Sequence, residues 1–266
     1  METMHYNEKK KNSKGIIIAV ISFVLIGAGI IIFALTSESE PVVIGSQESD
    51  IQRLVELDKE DKEKTKSDNA NINYEIKDEN YSDKSNSYIK SNITLPKVFI
   101  EGDELKEFND NLEVEYNQLF NKLKEQMSGS VESKYTYIVS YNFYENMIGT
   151  NKIISLALYQ RVRDDSASKN TTEKVTTYNI DLSSKKEVEL SEVAQVLLDK
   201  DYKTTIKSAI EDYVVENGMM KSSDFTYAVT GLEDYYIKEG VFHIILNEGT
   251  LVDSKYGVLD IEVTKK

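Results

Sequence analysis

The chain has 266 residues, a net charge of −14 and a sequence pI near 4.8. That balance argues against a nucleic-acid surface and against docking on anionic lipid by the folded part. The absence of cysteine excludes disulfides, thiol catalysis, Cys-ligated zinc and a lipoprotein anchor.

Residues 1–14 (METMHYNEKKKNSK) form a tail too short to bury a core. Residues 15–35, GIIIAVISFVLIGAGIIIFAL, are apolar apart from Ser22 and match the ~20 residues a helix needs to cross a bilayer. Lys9, Lys10, Lys11 and Lys14 precede this run and Glu38, Glu40, Glu48 and Asp50 follow it. Positive charge on the N-terminal flank predicts a cytoplasmic N-terminus and an extracellular remainder, a single-pass protein of the cell membrane. The alternative is a cleaved secretory signal. The apolar core is longer than the usual 7–15 residues, and Ser37-Glu38-Ser39 is a poor cleavage site, so an uncleaved anchor is expected. The Ile, Lys and Asn content, with 17 Tyr and no Trp, fits a bacterial envelope protein.

Residues 36–86 are mostly polar and read as a partly helical stalk or linker. Ile51, Leu54 and Val55 make only a short stripe, and pairs such as Glu60 and Lys64 support a solvated helix by ~0.2–0.5 kcal/mol each. Asp78 to Asp83 resembles a calcium loop in its alternating oxygens but lacks the Gly and closing Glu of an EF-hand, so a solvated loop is expected.

The folded domain is expected over 87–266. SYIKSNITLPKVF alternates and reaches Pro96, which suits an edge strand or a strand end. A helix is predicted from about Asp103 to Met127, where Leu105, Phe108, Leu112, Tyr116, Leu119, Leu123 and Met127 recur at spacings of three and four, with Gly129 as its stop. Ser133–Asn146 and Asn151–Arg163 alternate as strands about a short connection containing Gly149, a hairpin. A polar loop, Asp164 to Thr172, leads to the strand KVTTYNIDL. SSKK turns that strand into EVELSEV, and a helix follows from about Asp199 to Glu216, stopped by Gly218. Strands are predicted near FTYAV, DYYIKEGVFHIILN and GVLDIEV. This order predicts an α+β fold: an antiparallel sheet with two helices packed on one face.

TTYNIDLSSKKEVELSEV resembles the hairpin Y-N-x-D-L-x-(S/T)-(G/K)-K-x-(V/L)-x-L of the extracytoplasmic domain shared by RsiV-type anti-sigma factors and PdaC-type peptidoglycan deacetylases. DYKTTIKSAIEDYV resembles that domain's next helix, and DYYIKEGVFHIILNEGTLVDSKYGVLDIEV its closing strands. ITLPKVFIEGDELKEFNDNLEVEYNQLF is similar to its strand-to-helix entry. The resemblance implies a non-catalytic module, which in the anti-sigma members binds a lysozyme-like wall hydrolase. This chain departs from the pattern at QRVRDDSASKNTTEK, where the family often carries a Gly-Gly-Ala-His-like segment. A tail of 14 residues is also too short to hold a sigma factor, and no room remains for a deacetylase domain.

The residue inventory predicts no enzyme, cofactor or metal site. The histidines are His5 and His243, and a single strand histidine is more often packed than a ligand. Asp164-Asp165 and Glu233-Asp234 read as turn-forming acids, and sequons at Asn92 and Asn170 carry little weight in a bacterium. The expected function is a membrane-anchored, non-catalytic binding or sensory module whose partner is a cell-wall component or a basic, lysozyme-like envelope protein, with no nucleic acid. Arg161, Arg163, Asp164 and Asp165 are the candidate partner surface. The alternatives are an envelope hydrolase using paired carboxylates, or a structural or assembly subunit of a membrane complex.

Overall fold

The computed structural model describes residues 71–127, 134–166 and 169–265, so Lys9, Lys10, Lys11, Lys14 and the apolar run 15–35 lie outside the described residues. Among the described residues no helix is long and apolar enough to cross a membrane.

Chain order is β1 (Tyr74–Tyr81), β2 (Ile89–Ile100), β3 (Asp103–Glu104), α1 (Lys106–Met127), β4 (Tyr135–Ile148), β5 (Asn151–Asp164) and β6 (Lys169–Asp181). Then come β7 (Lys186–Glu187), α2 (Leu190–Leu197), α3 (Tyr202–Glu216), β8 (Asp234–Lys238), β9 (Val241–Leu246) and β10 (Leu259–Val263). The fold is α+β, as expected, but the described residues make two sheets and three helices instead of one sheet and two helices. A seven-stranded sheet runs β1-β2-β4-β5-β6-β7 with β3 paired to β2, and a three-stranded sheet runs β10-β9-β8. The large sheet is mixed, because β2 and β4 pair in parallel. Parallel neighbours need a crossover, and α1 supplies it.

Both faces of β5 are apolar, and that requires two covers. Ile154, Leu156, Leu158 and Val162 meet α1 through Leu112, Tyr116, Phe120 and Leu123. Ile153 and Ala157 point the other way, toward the small sheet. That sheet in turn buries Ile237, Phe242, Ile244 and Ile261 against Ile206, Ile210 and Val214 of α3. The layers are therefore helix, large sheet, small sheet, helices. Each fully buried aliphatic side chain contributes ~1.5–3 kcal/mol, and Leu123→Ala, at a site with no exposure, would cost ~2–5 kcal/mol.

The folded part starts earlier than residue 87. Tyr74–Tyr81, read as stalk, pairs along β2 from Tyr74 opposite Ile100 to Tyr81 opposite Ile93, so half of the supposed loop 78–83 is strand. Composition hid it because its exposed positions are charged. Pro96 falls just past Ile93, where β4 has left the pairing, so its missing N–H breaks no bond to β4. EVELSEV divides: Val188 still bonds back to Asn179, but Leu190 opens α2, and the Glu192 carboxylate accepts from the Glu189 N–H at 3.2 Å to cap it. FTYAV joins no ladder; Phe225, Tyr227 and Val229 pack on the small-sheet core instead. Gly218 closes α3 at φ +65°, with the Met219 N–H donating to the Val214 carbonyl.

Asparagine amides stand in for absent strands. Where β2 outruns β4, buried Asn109 of α1 accepts from the Val98 N–H (2.9 Å) and donates to its carbonyl (3.1 Å). Asn247 does the same for Val175 of β6, at 2.7 and 3.0 Å. In the other direction, the open edge of β8 receives side chains from the large sheet. Asn179 Nδ2 donates to the Tyr235 carbonyl (2.8 Å), Asn146 Nδ2 to that of Ile237 (2.8 Å), and the Ile237 N–H donates to Ser155 Oγ (3.0 Å). Thr177 Oγ1 takes the Tyr235 N–H, and Asp234 takes that of Thr177, both at 2.8 Å. Two open edges thus seal each other, which satisfies buried backbone groups and blocks edge-to-edge aggregation.

Candidate functional site

The small sheet covers only part of the large one. β8 lies over Asn146, Ser155 and Asn179, and by register the same face continues uncovered through Asn142, Tyr144, Tyr159, Arg161 and Glu173. Over this continuation the small sheet presents Tyr236, His243 and Asp260, neighbours on β8, β9 and β10. The result is a cleft with a floor of open sheet and an aromatic wall.

The wall is a stack. Tyr144 and Tyr236 lie 5.2 Å apart at 20°, and Tyr236 and His243 lie 4.5 Å apart at 18°. Asp260 holds it from below: Oδ2 accepts from Tyr236 Oη at 2.6 Å, and Oδ1 faces His243 Nδ1 at 2.9 Å. Burial pushes the Asp260 carboxyl up, but the bonds from His243 and Tyr236 outweigh it and keep the group below the usual carboxylate range. An ionised carboxylate accepts only, so the bonded nitrogen of His243 carries its proton. Burial, then the bond to Asp260, pushes the Tyr236 hydroxyl well up, so it stays a donor. Tyr236 and His243 are buried, whereas the Asp260 side chain keeps 45% of its surface. Arg161 Cζ stands 5.2 Å from the centre of the Tyr159 ring, and Lys238 Nζ 5.9 Å from that of Tyr144. The cleft offers flat ring faces, an exposed carboxylate edge and two cations at its margin. Among the described residues no group of three or more His, Asp or Glu side chains is placed to hold a metal ion.

The sequence-predicted surface residues lie at one end of the floor, each with a partner. Arg161 pairs with Glu173 at 2.7 Å. Asp165 accepts from Thr136 at 2.9 Å and pairs with Arg163 and Lys90 at 3.2 Å. Burial raises the Asp165 carboxyl, and these partners more than reverse that. Asp164 takes the N–H and hydroxyl of Ser166, as a turn acid does. Glu233 likewise gathers Thr230, Gly231 and Tyr227, while Asp234 turns to β6.

No protein-family model and no curated protein matches the chain. The structure is similar to that of a DUF3298 family protein from Pseudomonas aeruginosa PAO1, with 11% identity, a TM-score of 0.47, and 73% of this chain and 90% of that one covered. A DUF3298 family member from Bacteroides fragilis is similar over the same shares, with 11% identity and a TM-score of 0.42. DUF3298 is a domain found in RsiV/PdaC-type proteins.

Tyr144, Tyr236 and Asp260 escaped the sequence reading, and His243 appeared there only as a packed strand residue. Tyr159 and Arg161 gave one usable signal: they alternate on the face opposite Leu156 and Leu158 and end an otherwise buried strand with polar groups.

Proposed function

We propose that this chain is a single-pass, membrane-anchored and non-catalytic binding module of the bacterial cell envelope. Residues 15–35 would hold it in the membrane, and the cleft between its sheets would recognise wall glycan. The observation that carries this reading is the Tyr144–Tyr236–His243 stack braced by Asp260. Sugar rings stack on flat aromatic faces, and a carboxylate edge accepts their hydroxyls. His243 and Tyr236 are spent on holding Asp260, which favours a preorganised binding wall over a proton-transfer site. Net charge −14 supports a second reading, a basic envelope protein such as a lysozyme, drawn in by its field.

Co-sedimentation of the detergent-solubilised full-length chain with purified peptidoglycan tests the first reading. Tyr144→Ala and Asp260→Ala should each weaken retention at least tenfold. Failure of the wild type to sediment, or unchanged retention of both variants, would overturn it. Capture of lysozyme that declines steeply with salt would favour the second. Protease added to intact cells should remove the domain if it faces outward.

A further inference from the structure

β10 is the outer strand of the small sheet, and among the described residues no printed backbone bond reaches its far side. The facing edges of β6 and β8 are sealed by side chains, as described above, and this edge is not. Alongside it runs a groove of about 480 Å³ between the strand and one flank of α3, lined by Thr205, Ser208, Asp212 and Glu216 and by Ile261 and Glu262. The helical residues recur at spacings of three and four, so the groove follows the helix axis for ~18 Å. Five strand residues span about the same length. The other flank of α3 carries Lys203 and Lys207, leaving the groove side acidic.

We infer that the β10 edge is a docking site for an extended, lysine- or arginine-bearing peptide segment, added as a fourth strand. Its backbone would pair with β10, and alternate side chains would lie in the groove, where Asp212, Glu216 and Glu262 complement their charge. A second copy of this chain is a poor occupant, because the groove and the whole chain are acidic. The site is separate from the cleft and stands whether or not the cleft binds glycan.

The test is fluorescence anisotropy of the full-length chain in detergent with a labelled peptide of alternating Lys and Val. The expected result is saturable binding, at least tenfold weaker for the same peptide methylated on alternate backbone nitrogens and for an alternating Glu and Val peptide. Asp212→Lys combined with Glu262→Lys should reverse the charge preference, while Tyr144→Ala should leave binding unchanged. In the wild type, bound peptide should slow amide exchange in residues 259–263, a readout that does not depend on any variant folding. Absence of saturable binding, equal binding of the methylated peptide, or unchanged exchange in β10 would overturn the proposal. So would a dimer that buries β10 in light scattering.

Discussion

Replacing Asn179 is the most direct test of how the two sheets hold together. Its side chain is 3% exposed; Nδ2 donates to the Tyr235 carbonyl at 2.8 Å, and Oδ1 accepts from Ser155 Oγ at 2.6 Å. Asn179→Ala removes both bonds, each worth ~1 kcal/mol net, and strands a carbonyl whose desolvation costs ~1–3 kcal/mol. The expected loss is about 3 kcal/mol. Asn179→Asp has the same shape and still serves Ser155, but it sets a buried carboxylate against the Tyr235 carbonyl. It should lose at least as much at pH 7 and recover part of that loss as acid protonates the carboxylate. Urea unfolding of residues 71–266, followed by circular dichroism, gives both numbers. Native-state exchange should show the Tyr235 and Ile237 amides opening first, since their acceptors are Thr177 and Ser155 on the large sheet. A loss below about 1 kcal/mol for Asn179→Ala, or exchange no faster in β8 than in β5, would refute mutual edge sealing as what joins the sheets.

Beneath α1, fully buried Gln160 accepts from Tyr137 Oη at 3.2 Å and donates to Thr176 Oγ1 at 3.3 Å. Gln160→Leu should cost ~2–4 kcal/mol in urea unfolding, and adding Tyr137→Phe should return part of it by removing a stranded hydroxyl. Glu115 is raised by burial despite the bond from Tyr178 Oη at 3.0 Å. A carboxylate raised in the folded state loses stability as pH rises from its unfolded value near ~4.3 through its folded one. Glu115→Gln should therefore exceed wild type in stability at pH 7 and match it below about pH 4. Asp83 has the opposite sign: the Ser85 hydroxyl and N–H, with Lys124 at 3.0 Å, hold it at about 2. Its contribution is complete above the unfolded value near ~3.9 and disappears as pH falls toward 2, so acid titrations of wild type and Asp83→Asn should converge there. A fragment starting after Tyr81 exposes the β2 edge and should aggregate in light scattering where one starting at Asn71 stays monomeric.

Local regularities were legible in the sequence. Leu112, Tyr116, Leu119 and Leu123 repeat at the helical period, and they bury α1 as that period requires. The alternation of Ile154, Leu156 and Leu158 against Ser155 and Ala157 marks a strand with two distinct faces, and Gly149 at φ +63° turns the hairpin before it. The charge reversal around residues 15–35 is likewise a purely sequential signal, and it carries the membrane proposal by itself. What covers each face was not legible. Alternation says that Ser155 and Asn179 share a side, but their partners, Ile237 and Tyr235, lie 82 and 56 residues further along the chain. β1 was hidden for a related reason: exposed Glu75, Lys77 and Glu79 look like a solvated linker until β2 pairs with their backbone. The cleft depends on the same long-range step, since Tyr144, Tyr236, His243 and Asp260 come from four strands of two sheets. Periodicity reports the geometry of one element, whereas a site between elements exists only once backbone edges far apart in sequence have found the side chains that satisfy them.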